Sequence, residues 1–554
     1  MFNNNKILVV IPAREDSLII PRKNIRLLDN RPLISYPIGV AKSSQYVDDV
    51  VVTTDNSDIA LVAEKFGASV VRHSKDLSGN QFPMEAIIYN AMIQKEKLAF
   101  DEYDIVIKIE PSAPLLKINT LNRAIEKFED FSIDSVVSVR EDKHLSWGYD
   151  ASNQRYYPLY SQRDDKNNMP RLFKETDAIL ATRRSFVLED SCLGENVDVV
   201  ELSREESTEI VDKDDWLIAE NYLQKKRIAI IVNANDEIGT GHIYRCLSIA
   251  SKLLFNDVLF FIDESQQLGI DILNSYNYSY EIYSNEDDLL SKLKMFGPQI
   301  VINDINDTTS EYILKLKQQG YFVVNFEDLG VGTEFADVVF DSLYEHDLSE
   351  SNIFAGSKYF ILKDEFYFQP RKIITNEVKN VLIAFEGSDP NNLTEKVLNA
   401  ILSTNYEGRI NIILGLGYPD KEGFISKIES NSSIQVYSNV SHISEFMFKA
   451  DIIFTSAGKY MYEICSLGVP TICLCQNERE LTHVFCSNTN GFINMGLGDA
   501  LDKKDIITQF IDFVNNYDQR IEMNEKMLSI DLKNGFENMW NVINTEYRSF
   551  KLQR

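Results

Sequence analysis

Basic residues are in short supply in this 554-residue chain: 56 lysines and arginines stand against 84 acids, a formal net charge of −28. That balance excludes a general nucleic-acid surface, which needs a concentrated basic face. It leaves phosphorylated small molecules open, because a pocket can be locally positive on an acidic protein. Cysteine is sparse too. The six thiols (Cys192, Cys246, Cys465, Cys473, Cys475, Cys486) follow no zinc-like spacing, and Cys473 and Cys475 share an apolar run that reads as a buried strand. No apolar run of about 18 residues occurs, so no membrane span is expected. The opening MFNNNKILVV lacks the zones of a secretory signal. A cytoplasmic location with reduced thiols is the expectation. The length asks for two or more domains.

What is present is a repeated alternation of strands and helices. KILVVIP, VDDVVVTTD, ASVVRH, YDIVIKIEP and IDSVVSV read as buried strands with helical patterns such as SDIALVAEKF between them. Such alternation predicts a mostly parallel sheet covered on both faces, with ligands at the strands' carboxyl ends. The pattern restarts at KKRIAIIVNANDEIGTGHIYRCLSIASKLL and again after a charged linker at VLIAFEG. Three segments are expected: 1–224, a first rear lobe over 225–372 and a second over 373–554. The cleft between the rear lobes is the default ligand site.

In the first segment, Arg14, Arg22 and Lys23 follow a strand in IPAREDSLIIPRKN. A guanidinium fork and a compact ammonium suit phosphate recognition; a surface salt-bridge cluster with Glu15 and Asp16 is the competing reading. IPAR…S…IPRKN, TTD, PSAPL and DWLIAE, in that order over about residues 6–223, resemble the cytidylyltransferases that activate sialic acid and related nine-carbon sugar acids. The resemblance implies transfer of CMP from CTP to a nonulosonic acid with release of pyrophosphate. It places Arg14 and Lys23 on the triphosphate, with Ser17 and Asn24 shaping the loop and Arg22 beside them. Arg72 and Gln81 would lie on the nucleotide or sugar side, and Pro111 and Ser112 would line the nucleotide pocket. The family's acidic pair for Mg²⁺ falls on Glu209 and Val211, so Glu209 with Asp212 is the metal pair to expect. Glu15, Asp16, Leu18 and Leu116 also depart from the family pattern. Related cytidylyltransferases are dimers, so a homodimer through this segment is expected.

In the rear segments, GTGHIYR sets Gly239, Gly241, His242 and Arg245 at a strand-to-helix turn, where backbone amides and a helix N-terminus favour phosphate. A histidine there can act as a general base, since imidazole's reference pKa lies near neutrality; a helix-capping histidine is the plainer alternative. AFEGSDPNN, with Ser388 and Asp389, reads as a second anion turn. SAGKYMYEICSLGVPTICLCQN puts Ser456, Gly458 and Glu463 after a strand, with Gln476, Asn477 and His483 following. Together, over about residues 227–500, these motifs resemble the nucleotide-sugar hydrolases of pseudaminic and legionaminic acid synthesis, which have the two-lobed glycosyltransferase-B (GT-B) architecture. The resemblance implies removal of UDP from a UDP-linked diacetamido sugar, with His242 activating water and Glu463 holding the uridine ribose. In NFEDLG, Glu327 and Asp328 would read the sugar.

The fold expected is therefore α/β, a nucleotidyltransferase (GT-A-like, Rossmann-like) domain followed by a GT-B-like module. A bifunctional enzyme of nonulosonic acid synthesis follows. Its rivals are a GT-B glycosyltransferase with a degenerate first domain and a non-catalytic nucleotide-sugar scaffold.

Overall fold

The computed structural model describes residues 2, 5–14, 19–72, 83–160, 163, 171–235, 239–305, 307–343, 352–385, 387, 389–415, 417–428, 431–438, 440 and 442–553. Ser17, Gln81 and Ser388 lie outside the described residues. The chain divides into two compact units, Met1–Lys225 and Lys226–Arg554.

The first unit is built on a seven-stranded sheet. Its strands run in the order Val197–Glu201, Ser135–Glu141, Phe173–Arg183, Ile105–Ile109, Ile7–Pro12, Asp49–Thr54 and Ser69–Arg72. Only Phe173–Arg183 runs antiparallel to its neighbours among these pairings. All six residues of Ile7–Pro12 and all five of Ile105–Ile109 are buried, which is why these runs, Lys108 apart, read as continuous apolar stretches rather than alternating ones. A separate hairpin, Trp147–Asp150 with Arg155–Pro158, stands outside the sheet.

The second unit holds two parallel sheets. The first runs Tyr280–Tyr283, Asp257–Asp263, Arg227–Val232, Ile300–Asp304, Phe322–Phe326, Val338–Asp341 and Ile353–Ala355. The second runs Ile434–Ser438, Arg409–Leu414, Asn380–Ala384, Ile452–Thr455, Thr471–Cys475 and Ile493–Leu497. Each begins its strand order in sequence as third, second, first, fourth, the doubly wound arrangement. In each, the order reverses beside the first strand, so a crevice opens at the carboxyl ends of Arg227–Val232 and Ile300–Asp304, and likewise of Asn380–Ala384 and Ile452–Thr455. Two such lobes make the GT-B-like module expected.

The span expected for the second lobe, 373–554, does not keep its last helix. In Gly535–Leu552, Phe536, Met539, Ile543 and Tyr547 are buried in the core of the first lobe, where Phe322 meets Tyr547 and Phe550 edge-on at 5.6 and 5.4 Å. The physical reason is an apolar helix face that the first sheet leaves otherwise uncovered. The chain thus crosses back and closes the lobe it left.

Candidate functional site

In the first unit, three loops meet at the carboxyl ends of the strands. Arg14 follows Ile7–Pro12, and its carbonyl accepts a hydrogen bond from Asn24 Nδ2 at 2.8 Å. Lys23 Nζ donates to the carbonyl of Ile210 at 2.8 Å. Ile210 N donates in turn to Ser112 O at 2.9 Å, and Ser112 Oγ donates to Glu110 Oε1 at 2.9 Å. Lys23, Glu110, Pro111, Ser112 and Glu209 are therefore brought together. Burial pushes the Lys23 ammonium below its ordinary value, against the opposing pull of Glu110, Glu209 and Asp215. Burial pushes the Glu209 carboxyl up, against the hydrogen bond from Asp177 N at 2.6 Å. Asn24 Oδ1 and Asp55 Oδ1 are buried atoms with no hydrogen-bond partner among the described residues. Asp55, which the sequence places with Arg14 and Pro111 at the carboxyl ends of the strands, is thereby singled out.

Two residues point elsewhere. Arg22 adopts a left-handed φ of 56° and its Nη2 pairs with Asp58 Oδ2 at 2.8 Å on the surface, which favours the salt-bridge reading with a different acid. Arg72 ends the edge strand Ser69–Arg72 and is exposed.

Asp212, expected beside Glu209 as a metal ligand, is engaged as a helix cap. Its Oδ1 accepts from Asp214 N and Asp215 N at 2.9 and 3.0 Å, while Asp215 Oδ2 accepts from Val211 N and Asp212 N. This is a capping box on the helix Lys213–Gln224. Among the described residues no group of three or more His, Cys, Asp and Glu is placed to hold a metal ion. Mg²⁺ needs only one or two carboxylates beside phosphate oxygens, and here Glu209 fits that need while Asp212 caps its helix. Glu110 is paired within the site, with Lys108 Nζ 3.2 Å from its Oε2.

In the second unit, His242 and Arg245 sit on the first turns of the helix Gly241–Lys252, at the crevice of the first sheet. Gly239, at φ 82°, takes a backbone conformation that side chains resist, and so turns the chain into the helix. His242 Nδ1 lies 2.6 Å from Asp304 Oδ1, at the end of the strand Ile300–Asp304. Opposite a carboxylate, Nδ1 carries the proton and Nε2 keeps its lone pair for chemistry. Arg245 clamps the same carboxylate, Nε to Oδ2 at 2.7 Å and Nη2 to Oδ1 at 2.6 Å. Its Nη1 reaches Glu327 Oε1 at 2.5 Å. Burial alone would raise the Asp304 carboxyl, but Arg245 and His242 hold it far below the carboxylate range. In the same way Arg245 and Lys459 overcome burial and hold Glu327 at about 2. The tail of this network reaches the other lobe: Lys459 Nζ lies 3.3 Å from Glu327 Oε2.

Across the cleft, Glu463 lies buried on the helix Tyr460–Leu467. Its Oε1 meets Lys363 Nζ at 2.9 Å, and its Oε2 has no hydrogen-bond partner among the described residues. Burial pushes this carboxyl up, against the pull of Lys363. Gln476 Nε2 donates to Asp389 Oδ1 at 2.6 Å, leaving Gln476 Oε1 without a partner among the described residues. His483 Nδ1 donates to Ala457 O at 2.7 Å, which fixes the ring over the Ser456–Gly458 turn.

Other expected contacts are used by the fold itself. Asp389 accepts from Leu393 N and Thr394 N, capping the helix Leu393–Ile401, which suits a carboxylate better than facing phosphate. Asn477 accepts from Glu480 N as the cap of Glu478–Leu481. Asp328 does not face the cleft as a sugar reader: it takes Thr308 N, Thr308 Oγ1, Asn325 Nδ2 and Gly330 N and ties its loop together. Asp304, Lys363 and Lys459 escape sequence reasoning. The signal for Asp304 was a polar pair ending a buried strand, QIVIND.

Residues 8–187 match the Cytidylyltransferase family. An uncharacterised protein of Methanocaldococcus jannaschii is 32% identical over 274 residues, covering 46% of this chain; the match spans 56% of that relative's length. The CMP-N,N'-diacetyllegionaminic acid synthase of Legionella pneumophila is 28% identical over 232 residues, 41% of this chain and 100% of its own. The spore coat polysaccharide biosynthesis protein SpsG of Bacillus subtilis is 22% identical over 313 residues, 54% of this chain and 92% of its own. A match of that length cannot fit in the first unit, which ends at Lys225. The chain therefore carries a cytidylyltransferase-family domain in its first unit, followed by a GT-B-like module that resembles SpsG.

Proposed function

We propose that the chain is a bifunctional enzyme of nonulosonic acid synthesis: the first unit transfers CMP from CTP to a nonulosonic acid, and the second hydrolyses a UDP-linked diacetamido sugar. The His242–Asp304 pair carries the second half of this reading. His242 Nε2 takes a proton from water, the water oxygen bonds to the anomeric carbon, and the bond from that carbon to the diphosphate breaks, giving free sugar and UDP. Asp304 holds the tautomer and stabilises the imidazolium as it forms. The orphaned Glu463 Oε2 is an acceptor ready for a ribose hydroxyl.

In the first unit, the sugar acid's anomeric hydroxyl attacks the α-phosphorus of CTP and pyrophosphate leaves. Arg14 and Lys23 are the residues for the triphosphate, between the Asn24 loop and the Pro111–Ser112 turn. Glu209 would hold Mg²⁺, which when bound would supply positive charge to offset that of the phosphates. A homodimer belongs to the same reading. The hairpin supports it: Trp147, Tyr149, Tyr156 and Tyr157 are all exposed there, the kind of apolar patch that marks an interaction site.

One assay on the purified chain tests both halves. Pyrophosphate release is followed with CTP, Mg²⁺ and a panel of nonulosonic acids, and UDP release with UDP-diacetamido sugars. Sugar-acid-dependent pyrophosphate and free sugar with UDP are the expected products. An extended glycan in place of free sugar would make the second unit a glycosyltransferase. Turnover of neither substrate would leave the scaffold reading standing, and a monomer by light scattering would remove the dimer.

A further inference from the structure

We propose that Lys459, carried on the second lobe, supplies the positive charge that meets the diphosphate of the nucleotide sugar at the start of the helix Gly241–Lys252. The assignment rests on the reading of the cleft as a nucleotide-sugar site.

The charges beside His242 do not balance without it. One guanidinium, Arg245, is shared by two buried carboxylates, Asp304 and Glu327. The surplus negative charge lies next to the glycine turn, in a buried setting where charges act strongly on one another. A diphosphate approaching that turn would be repelled. Lys459 removes the surplus: its Nζ lies 3.3 Å from Glu327 Oε2. The same Nζ lies 3.1 Å from the point where any side chain on Gly241 would place its Cβ. The ammonium therefore stands against the first turn of the helix, whose amides and dipole also favour an anion. Gly241 is needed here for two reasons, the backbone's approach to ligand and the room it leaves for Lys459.

The hold on Lys459 is loose. Glu327 is already satisfied through Oε1, which takes Arg245 Nη1 and Ser342 Oγ, the latter at 3.0 Å. The contact to Lys459 is longer than the usual charge-assisted range of about 2.7–2.9 Å. Glu327 also sits at a φ of 49°, a backbone conformation that non-glycine residues seldom take, with its carboxylate against both cations. An ammonium with three donors can keep one on Glu327 Oε2 and turn the others to phosphate oxygens.

A purely structural bridge between the lobes is the alternative, and the nucleotide's own charge separates the two. Calorimetric titrations of the full chain with UDP and with uridine, in excess CTP to occupy the first unit, compare the wild type with Lys459→Gln, Lys459→Met and Lys459→Arg. Loss of a charge-assisted contact weakens UDP about 10-fold or more in the Gln and Met variants, with uridine within about 2-fold of wild type and most UDP affinity kept by Arg. Equal weakening of UDP and uridine, or unchanged UDP affinity, overturns the assignment. Using two neutral variants guards against one that fails to fold, which thermal melting reveals. A wild type that binds UDP but hydrolyses no UDP-sugar overturns the hydrolase reading and leaves Lys459 in place; one that binds no UDP overturns both.

Discussion

At the scale of single residues, the cleft turns on one carboxylate. Asp304 accepts from His242 and from two nitrogens of Arg245. In Asp304→Asn, an amide NH₂ would face one of those donors, and the Nδ1–H tautomer of His242 would lose its anchor. UDP-sugar turnover is expected to fall about 100-fold or more in kcat, with KM little changed, because the loss is to proton transfer. A kcat within about threefold of wild type would show that His242 does not act through Asp304. Glu327 gives a second prediction, with a sign fixed by its low pKa. Its folded value of about 2 lies below its ordinary value, so its contribution to stability is complete above the ordinary carboxylate range and is lost as pH falls toward 2. The difference in Tm between wild type and Glu327→Gln should be widest above about pH 5 and narrow on acidification. A difference that grows on acidification would reverse the assignment of charge. His242, Arg245 and Glu463 were legible because they fall in glycine-containing strand-to-helix motifs, GTGHIYR and SAGKYMYE. Asp304 was not, since it lies 62 residues from His242 and no local spacing pairs them. The capping role of Asp212 is also visible in the sequence: an acid followed three residues later by Asp215, ahead of an apolar helix, has the spacing of a capping box.

At the scale of elements, the β-branched runs forecast the strands well, because a strand buried on both faces is apolar along most of its length. The amphipathic pattern of Gly535–Leu552 says that one face is covered, but no residue in it tells which sheet does the covering. Only the three-dimensional chain shows it returning to the first lobe. There Met539 is fully buried among Phe322, Ile543 and their neighbours. Met539→Ala should cost the second unit about 2–5 kcal/mol in denaturant unfolding. If the helix belonged to the second lobe's surface instead, the loss would stay below about 1 kcal/mol, as for a substitution away from a core.

At the scale of the molecule, the restart of the strand pattern after residue 225 marks a second folded unit on one chain. The structure gives the two units distinct cores. Ile7, Val9, Ile107 and Val136 belong to one, and Ile230, Ile302, Ile383 and Ile453 to others. Each core is enclosed by elements from its own side of the division. Within the second unit the two sheets cannot be parted in the same way, because Gly535–Leu552 follows the second lobe in sequence and completes the core of the first. A cut at 225/226 should therefore yield two fragments that fold alone, whereas a cut near 372 should yield neither lobe in stable form. Expressed separately, 1–225 and 226–554 should each show a cooperative melt, with CTP-dependent pyrophosphate release confined to the first and UDP release to the second. If 226–554 melts cooperatively but 1–225 does not, the first unit draws stability from the second. Loss of both activities on separation, with both fragments folded, would mean instead that each site needs the other unit to work.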